Sequence, residues 1–291
     1  MNEKVNFISI KDFLEKKLSI EGAYFSKDED YFILPFFKDG KPFTSPGSKK
    51  WGMTLLKASS MRFRWNEENL NRDIFFEKLT KNHSKNADCV VPLELIHSKK
   101  VFSIHSKEEI FNETGDGIIS DNKDLIPSVT VADCVPIYFF DTKTNSFGIV
   151  HSGWKGTGII QNAIELAVKN FNSKKEDICV SIGSHICQNC YFIDEERALY
   201  FTKNFGSCVK EVFENGEKKS LLSLTDANLF VLKNCGIKEE NITVLKECTC
   251  CSTFSDNSNI FGSFRRQAAF RSETDLNKKS RLMCVQAAFV I

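Results

Sequence analysis

Short apolar runs bounded by turn residues predict strands, and apolar residues spaced three and four apart predict helices. Strand signals stand at 31–37 (YFILPFF), closed by the turn Lys38-Asp39-Gly40-Lys41, and at 90–95, 101–104, 115–120, 147–150, 178–182, 242–245 and 282–290. The run 128–140 is strand-like but is interrupted by Ala132-Asp133-Cys134. Helical spacing covers 8–18, 67–81 with Asn66 as cap, and 159–170, whose apolar positions are 159, 160, 163, 164, 167 and 168. Two further helices are predicted over 195–203 and 227–234, the latter capped by Thr225 or Asp226 and closed by Gly236. Residues 41–62 are turn-rich and then hydrophobic without a clear period, and 252–281 form a polar connection. Strands and helices alternate only in part. The expected fold is therefore α/β (α+β) with a mixed β-sheet, in one domain over 1–291, because no repeat or low-complexity linker divides the chain.

Composition narrows the classes. Lys and Arg number 39 against 38 Asp and Glu, a net charge of +1. Neither sign is concentrated, which argues against a nucleic-acid scaffold or a polybasic membrane protein. The 26 Phe against 5 Tyr and 3 Trp read as core filling rather than base stacking. The opening MNEKVNFISIKDFLEKKL lacks the apolar centre of a signal peptide, and no run approaches the ~18 apolar residues of a membrane span. A reducing cytoplasm is the expected setting. Eleven cysteines cannot all pair within one chain, and in that setting cysteine more often means metal or catalysis than disulfide.

Three residues share one local design. His97 follows a strand (LELIHS), Cys134 sits in the interrupted strand with an acid before it, and His151 ends a strand and opens a Gly-rich turn (FGIVHSGWKG). Two imidazoles and a thiolate with a fourth place open are the ligand set of catalytic zinc. Taken singly, each has a plainer reading: a hydrogen-bonded structural imidazole, or a buried thiol acting as a small hydrophobe. In HSGWKG, Gly-x-x-Gly opening a helix lets backbone approach an anion or ligand, although the spacing is not that of a P-loop. Lys155 suits a phosphate or a carboxylate, or is a solvated turn lysine. Arg265, Arg266, Arg271 and Arg281 are surface charge or an anion site, since guanidinium forks match phosphate oxygens. Cys187-x-x-Cys190 and Cys248-x-Cys250-Cys251 offer enough thiolates for a zinc site made of cysteines alone. The gap between the groups is far longer than in a zinc ribbon or knuckle. These five thiols are therefore expected to stay reduced and to bind no second metal.

With His97, Cys134 and His151 in place, the chain resembles the laccase-domain or YfiH-like family. That family was formerly described as multicopper polyphenol oxidases, and now as purine nucleoside phosphorylases or peptidoglycan editing factors. The blocks that carry the resemblance run in order as LIHSKKV, TVADCVPIYFFD, HSGWKG, IGSHICQNCYFID, ECT and GSFRR, over about 90–291, and 1–89 is the least family-like part. Departures are the degenerate N-terminal motif at 36–41 (FFKDGK), Gly183-Ser184, Cys190-Tyr191-Phe192 and Lys279-Ser280-Arg281. The resemblance implies a mixed sheet sandwich flanked by helices, of a Cys/His hydrolase-like type. It implies metal ligands at His97, Cys134 and His151, with zinc expected and copper possible. The implied activities are phosphorolysis of adenosine, inosine and methylthioadenosine to base plus (methylthio)ribose 1-phosphate, and deamination of adenosine. Asp133 is then a candidate to move the proton, and Lys155 with Arg265 or Arg266 a candidate phosphate site. Only five histidines exist, too few for a multicopper oxidase.

Two other readings stay open. One is a metal-free cysteine hydrolase or amidase acting on a cell-wall precursor, with Cys134 as nucleophile and His97 or His151 as base. The other is a non-catalytic zinc-binding protein. The expected partners are purine nucleosides and phosphate, with no nucleic acid and no membrane.

Overall fold

The computed structural model describes residues 3–214, 216–275, 278–279 and 281–291; Ser280 of the C-terminal departure lies outside them. Two large sheets stack face to face. One has seven strands in the order Asn6–Ile8, Ile242–Leu245, Ile178–Ile182, Val135–Asp141, Phe147–Ser152, Gly117–Ser120, Val101–Ile104, with parallel and antiparallel pairs. The other has six, in the order Tyr24–Phe25, Tyr31–Pro35, Lys50–Thr54, Gln286–Val290, Ile126–Val131, Val90–Pro92. The mixed sheet expected from the partial alternation is present.

Period-two alternation sorts side chains into layers. In Val135–Asp141, Tyr138 and Phe140 enter the layer between the sheets, while Ile137 and Phe139 face helices on the other side. Phe32 and Leu34 meet Tyr138 and Phe140 in the inter-sheet layer, where Trp51 lies on Tyr138 with ring centroids 4.7 Å apart. Tyr31, Ile33, Ala287 and Phe289 point outward onto the helix Leu70–Asn82 through Phe75, Phe76 and Leu79. Each such large buried side chain contributes about 1.5–3 kcal/mol; 14 of the 26 Phe are buried, so core filling accounts for about half of the Phe-rich composition, while Phe7, Phe111, Phe192, Phe213, Phe230 and Phe270 are exposed. The outcome is four layers: helices, seven strands, six strands, helix.

The helix Ile159–Phe171 packs Ile159, Ile160, Ala163, Ile164, Ala167 and Phe171 inward, and Val168 turns out to solvent. Several boundaries differ from the sequence reading. The first long helix is capped by Asn69, not Asn66, because Asn69 accepts from Arg72 N and donates to Ser60 O and Arg62 O. Ser223 caps Leu224–Asn234, ahead of both proposed caps. A strand, Lys50–Thr54, lies in the stretch that showed no period, because Trp51 and Met53 face one core layer while Gly52 fits under Phe289. The polar connection holds a short helix, Phe264–Gln267. Among the described residues, no helix is long and apolar enough to cross a membrane.

Candidate metal centre

The chain crosses from one sheet to the other between Ile126–Val131 and Val135–Asp141, and Ala132-Asp133-Cys134 form the crossing. The predicted interruption is this crossing. Asp133 takes φ +81° there, a strained value for a residue with a side chain. The bend is held from behind: Asp133 Oδ1 accepts from Thr249 Oγ1 at 2.7 Å and Oδ2 from Arg265 N at 2.6 Å, while Asp133 O accepts from Ile186 N at 3.1 Å. Cys134 is thereby presented at the mouth between the sheets.

His151 is the penultimate residue of Phe147–Ser152 and is buried. His97 does not directly follow a strand, as its sequence suggested. The strand stops at Pro92, and His97 sits exposed in a loop with φ +58°. One buried carboxylate organises both histidines. Asp116 accepts from His97 N at 2.9 Å, Ser98 N at 2.5 Å and Ser98 Oγ at 2.7 Å, and from His151 Nδ1 at 2.9 Å. His151 therefore carries its proton on Nδ1 and turns Nε2 to the site.

One ligand atom from each of His97, Cys134 and His151 lies within 4.8 Å of the other two. The imidazole rings meet edge to face with centroids 4.9 Å apart. Burial pushes the Cys134 thiol up, but the neighbouring His151 and His97 imidazoles bring it down to about 6. Burial pulls His151 down, and Cys134 with Asp116 brings it up to about 9. A thiolate between two oriented imidazoles, one backed by a carboxylate, has the chemistry of a borderline-soft zinc site with an outer carboxylate. The remaining histidines serve elsewhere. His83 bonds Tyr24, His105 bonds Asp121, and His185 bonds Gly183 O and Thr225. A cluster of several coppers lacks its imidazoles here.

In HSGWKG, Gly153 leaves room for the three clustered side chains. A Cβ on Gly153 would stand 3.1 Å from Cys134 Sγ, 3.2 Å from His97 Cδ2 and 3.7 Å from His151 Cε1. Beside this turn lies a cavity of about 350 Å³ lined by Trp154, Lys155, Asp194, Glu196, Arg197 and Tyr200. Lys155 Nζ and Arg197 Cζ flank the Trp154 ring at 5.3 and 4.2 Å. Tyr191, pushed up to about 12 by burial and by Cys134, also faces Arg197 and Arg265.

Two expectations need correction. Asp133 has both oxygens committed to Thr249 and the Arg265 backbone, so it is a brace; the carboxylate on the imidazole is Asp116. Arg266 is a clamp, not an anion binder: its guanidinium donates to Thr249 O at 2.8 Å, Cys250 O at 2.6 Å and Phe261 O. Arg265 Nη2 donates to Phe192 O at 3.2 Å while the guanidinium lies over Tyr191. Sequence reasoning misses Asp116 because nothing in TGDGIIS marks its partners 18, 19 and 35 residues away. Arg197 is hidden inside an ordinary amphipathic helix, Glu195–Phe205.

The second thiol group is free of disulfides, as expected, and stands closer together than its spacing in sequence suggested. All eleven cysteines are free, but Cys187, Cys190, Cys248 and Cys251 place their sulfurs within 4.8 Å of one another. The long gap in sequence is no obstacle, because a parallel bridge between His185 and Cys248 brings the two segments side by side.

Comparison with known proteins shows the family and the fold. A purine nucleoside phosphorylase of Clostridium acetobutylicum is 30% identical over 214 residues, 71% of this chain and 86% of the relative. The adenosine deaminase RL5 of an unknown prokaryotic organism is 28% identical over 174 residues, 56% of this chain and 66% of the relative. The crystal structure of hypothetical protein YfiH from Bacillus licheniformis superimposes with a TM-score of 0.68 at 21% identity, covering 83% of this chain and 92% of that one, which shows the shared fold. A family model described as multi-copper polyphenol oxidoreductase laccase matches residues 67–271, and the chain belongs to that family.

Proposed function

We propose that this chain is a zinc-dependent purine nucleoside enzyme. It cleaves adenosine, inosine or methylthioadenosine with phosphate and also deaminates adenosine. The observation that carries the reading is the His97–Cys134–His151 cluster, backed by Asp116, with a cavity nearby that is lined by two aromatic rings, two cations and two carboxylates. The names of the relatives, phosphorylase and deaminase, supply the substrate class.

A zinc ion bound there supplies Lewis acidity and water activation at neutral pH. His97, Cys134 and His151 would hold it, and Asp116 fixes the His151 tautomer. Tyr200 offers a face for a purine, while Lys155 and Arg265, with Arg197, offer positive charge to phosphate. In phosphorolysis a phosphate oxygen bonds to the ribose C1′ as the glycosidic C–N bond breaks, and the base leaves with a proton. In deamination, water replaces the 6-amino group, which leaves as ammonia.

The test is product analysis on adenosine plus phosphate, with metal analysis of the same protein. Adenine with ribose 1-phosphate, and inosine, are expected; both activities fall on chelation and return with added zinc. Phosphorolysis that persists after complete demetallation refutes the metal-centred reading. One observation favours a second reading: both imidazoles bring a ring nitrogen within 4.8 Å of the Cys134 sulfur, the neighbourhood of a cysteine nucleophile with its base. A hydrolase of that kind keeps or gains activity on chelation, and Cys134→Ala abolishes it.

A further inference from the structure

Cys187 caps the single 3-10 turn Gln188–Cys190, and Cys190 N donates to Cys187 O at 3.1 Å. On the facing segment, Cys248, Thr249, Cys250 and Cys251 make a second turn closed by Ser252 N on Cys248 O at 3.2 Å. The cysteines thus form two Cys-x-x-Cys turns, with Cys250 as a spacer. Thr249 N donates to His185 O at 3.0 Å and locks the turns together. The Cys248 sulfur accepts two backbone N–H groups, Cys187 N at 3.1 Å and Cys250 N at 3.3 Å. Amides aimed at a sulfur stabilise it as a thiolate, the form that binds metal.

The geometry points to a second metal site, a tetrathiolate that takes one zinc ion on Cys187, Cys190, Cys248 and Cys251. A tetrahedron with zinc–sulfur bonds of about 2.3 Å has sulfurs roughly 3.8 Å apart. Cys187 and Cys251 stand 3.9 Å apart and all four lie within 4.8 Å, so closure onto an ion needs only small rotations. Four protein ligands leave no open place, which makes the site structural rather than catalytic. Binding sends the displaced thiol protons to solvent.

Its position gives it a task. The two segments it would join are those that hold the sheet crossing: Ile186 and Thr249 bond Asp133, next to Cys134, and Arg266 clamps Thr249 O and Cys250 O. The ion would brace the Cys134 bend from outside the reactive centre. This proposal does not depend on which reaction the reactive centre performs.

The test is metal content and X-ray absorption of the full chain purified under reducing conditions and loaded with zinc. Wild type is expected to hold two zinc ions per chain. A His97→Ala/Cys134→Ala variant is expected to keep one, with a shell of four sulfurs at about 2.3 Å. Cys251→Ser, which changes the exposed member, is expected to lose that ion while keeping the one at His97. Should Cys251→Ser not fold, the absorption spectrum of the His97→Ala/Cys134→Ala variant decides alone. No zinc in that variant, a shell containing nitrogen, or disulfides among these four cysteines in fresh protein would overturn the proposal.

Discussion

Replacing Asp116 by Asn tests the claim that one carboxylate holds both histidines. Its two oxygens accept four hydrogen bonds, from His97 N, Ser98 N, Ser98 Oγ and His151 Nδ1, at 2.5 to 2.9 Å, in a fully buried position. Asn keeps the shape but turns an NH2 toward one pair of these donors. Each charge-assisted bond is worth about 1.5–3 kcal/mol, so losing one pair and facing donor to donor predicts a loss of about 3–5 kcal/mol of stability. His151 also exchanges a charged carboxylate for at best a neutral amide at its Nδ1 proton, which predicts a fall in zinc affinity of about 10–100-fold. Urea denaturation of metal-free protein reads the first effect, and competition with a chromophoric chelator the second. The pH dependence follows from the direction of the shift. Burial would raise the Asp116 carboxyl, but His151 and Ser98 hold it below the ordinary range. A depressed value stabilises above the unfolded carboxyl pKa of about 3.9 and loses that stabilisation as pH falls through the folded value. The gap between wild type and Asp116→Asn should be full at neutral pH and close in acid. Unchanged stability and unchanged zinc affinity at neutral pH would refute the organising role.

Gly153→Ala places a methyl 3.1 Å from Cys134 Sγ and 3.2 Å from His97 Cδ2, so the ligands must give by a few tenths of an ångström. Turnover of adenosine should fall by about 10-fold or more while the urea midpoint moves little, because reactive geometry tolerates only about 0.5 Å. In metal-free protein, alkylation of Cys134 by iodoacetamide should titrate near about 6 rather than in the ordinary thiol range, and His151→Ala should move it back up. Arg266→Lys should cost about 2–3 kcal/mol of stability, since an ammonium cannot span three carbonyls, and should leave the KM for phosphate unchanged. Lys155→Ala should do the reverse, raising that KM with little change in stability.

Much of the fold is legible because its signals are local. Strands such as Ile178–Ile182, Val101–Ile104 and Ile242–Leu245 fall at the predicted positions, since each is an apolar run with turn residues at its ends. The helix Ile159–Phe171 is readable from its spacing alone. Illegible elements lack such a pattern. The hairpin Val209–Glu214 with Glu217–Leu222 escapes sequence reading because half of its strand residues are exposed and its charged side chains mask the alternation. The strand Lys50–Thr54 has a glycine at its centre, required where Phe289 passes within 3 Å of the position a Cβ would occupy.

The candidate site divides along the same line. Histidine and cysteine announce themselves by type, and motif order is enough to single out His97, Cys134 and His151. What orients them does not. Asp116 looks like any acid before a strand, and its role exists only once Gly117–Ser120 pairs beside Phe147–Ser152. Asp133 looks catalytic because it adjoins Cys134, yet at a sheet crossing with φ +81° its side chain is turned to the backing loop. The four clustered thiols show the same rule from the other side. Spacing rules for zinc ribbons assume that the two turns lie on one hairpin, whereas here a bridge between His185 and Cys248 joins segments that are remote in sequence. In this fold, ligand type is a property of sequence, while ligand geometry and its support belong to the sheet pairings. Variants at Asp116, Gly153 and Thr249 should therefore disturb the reactive centre although none of the three supplies a ligand atom.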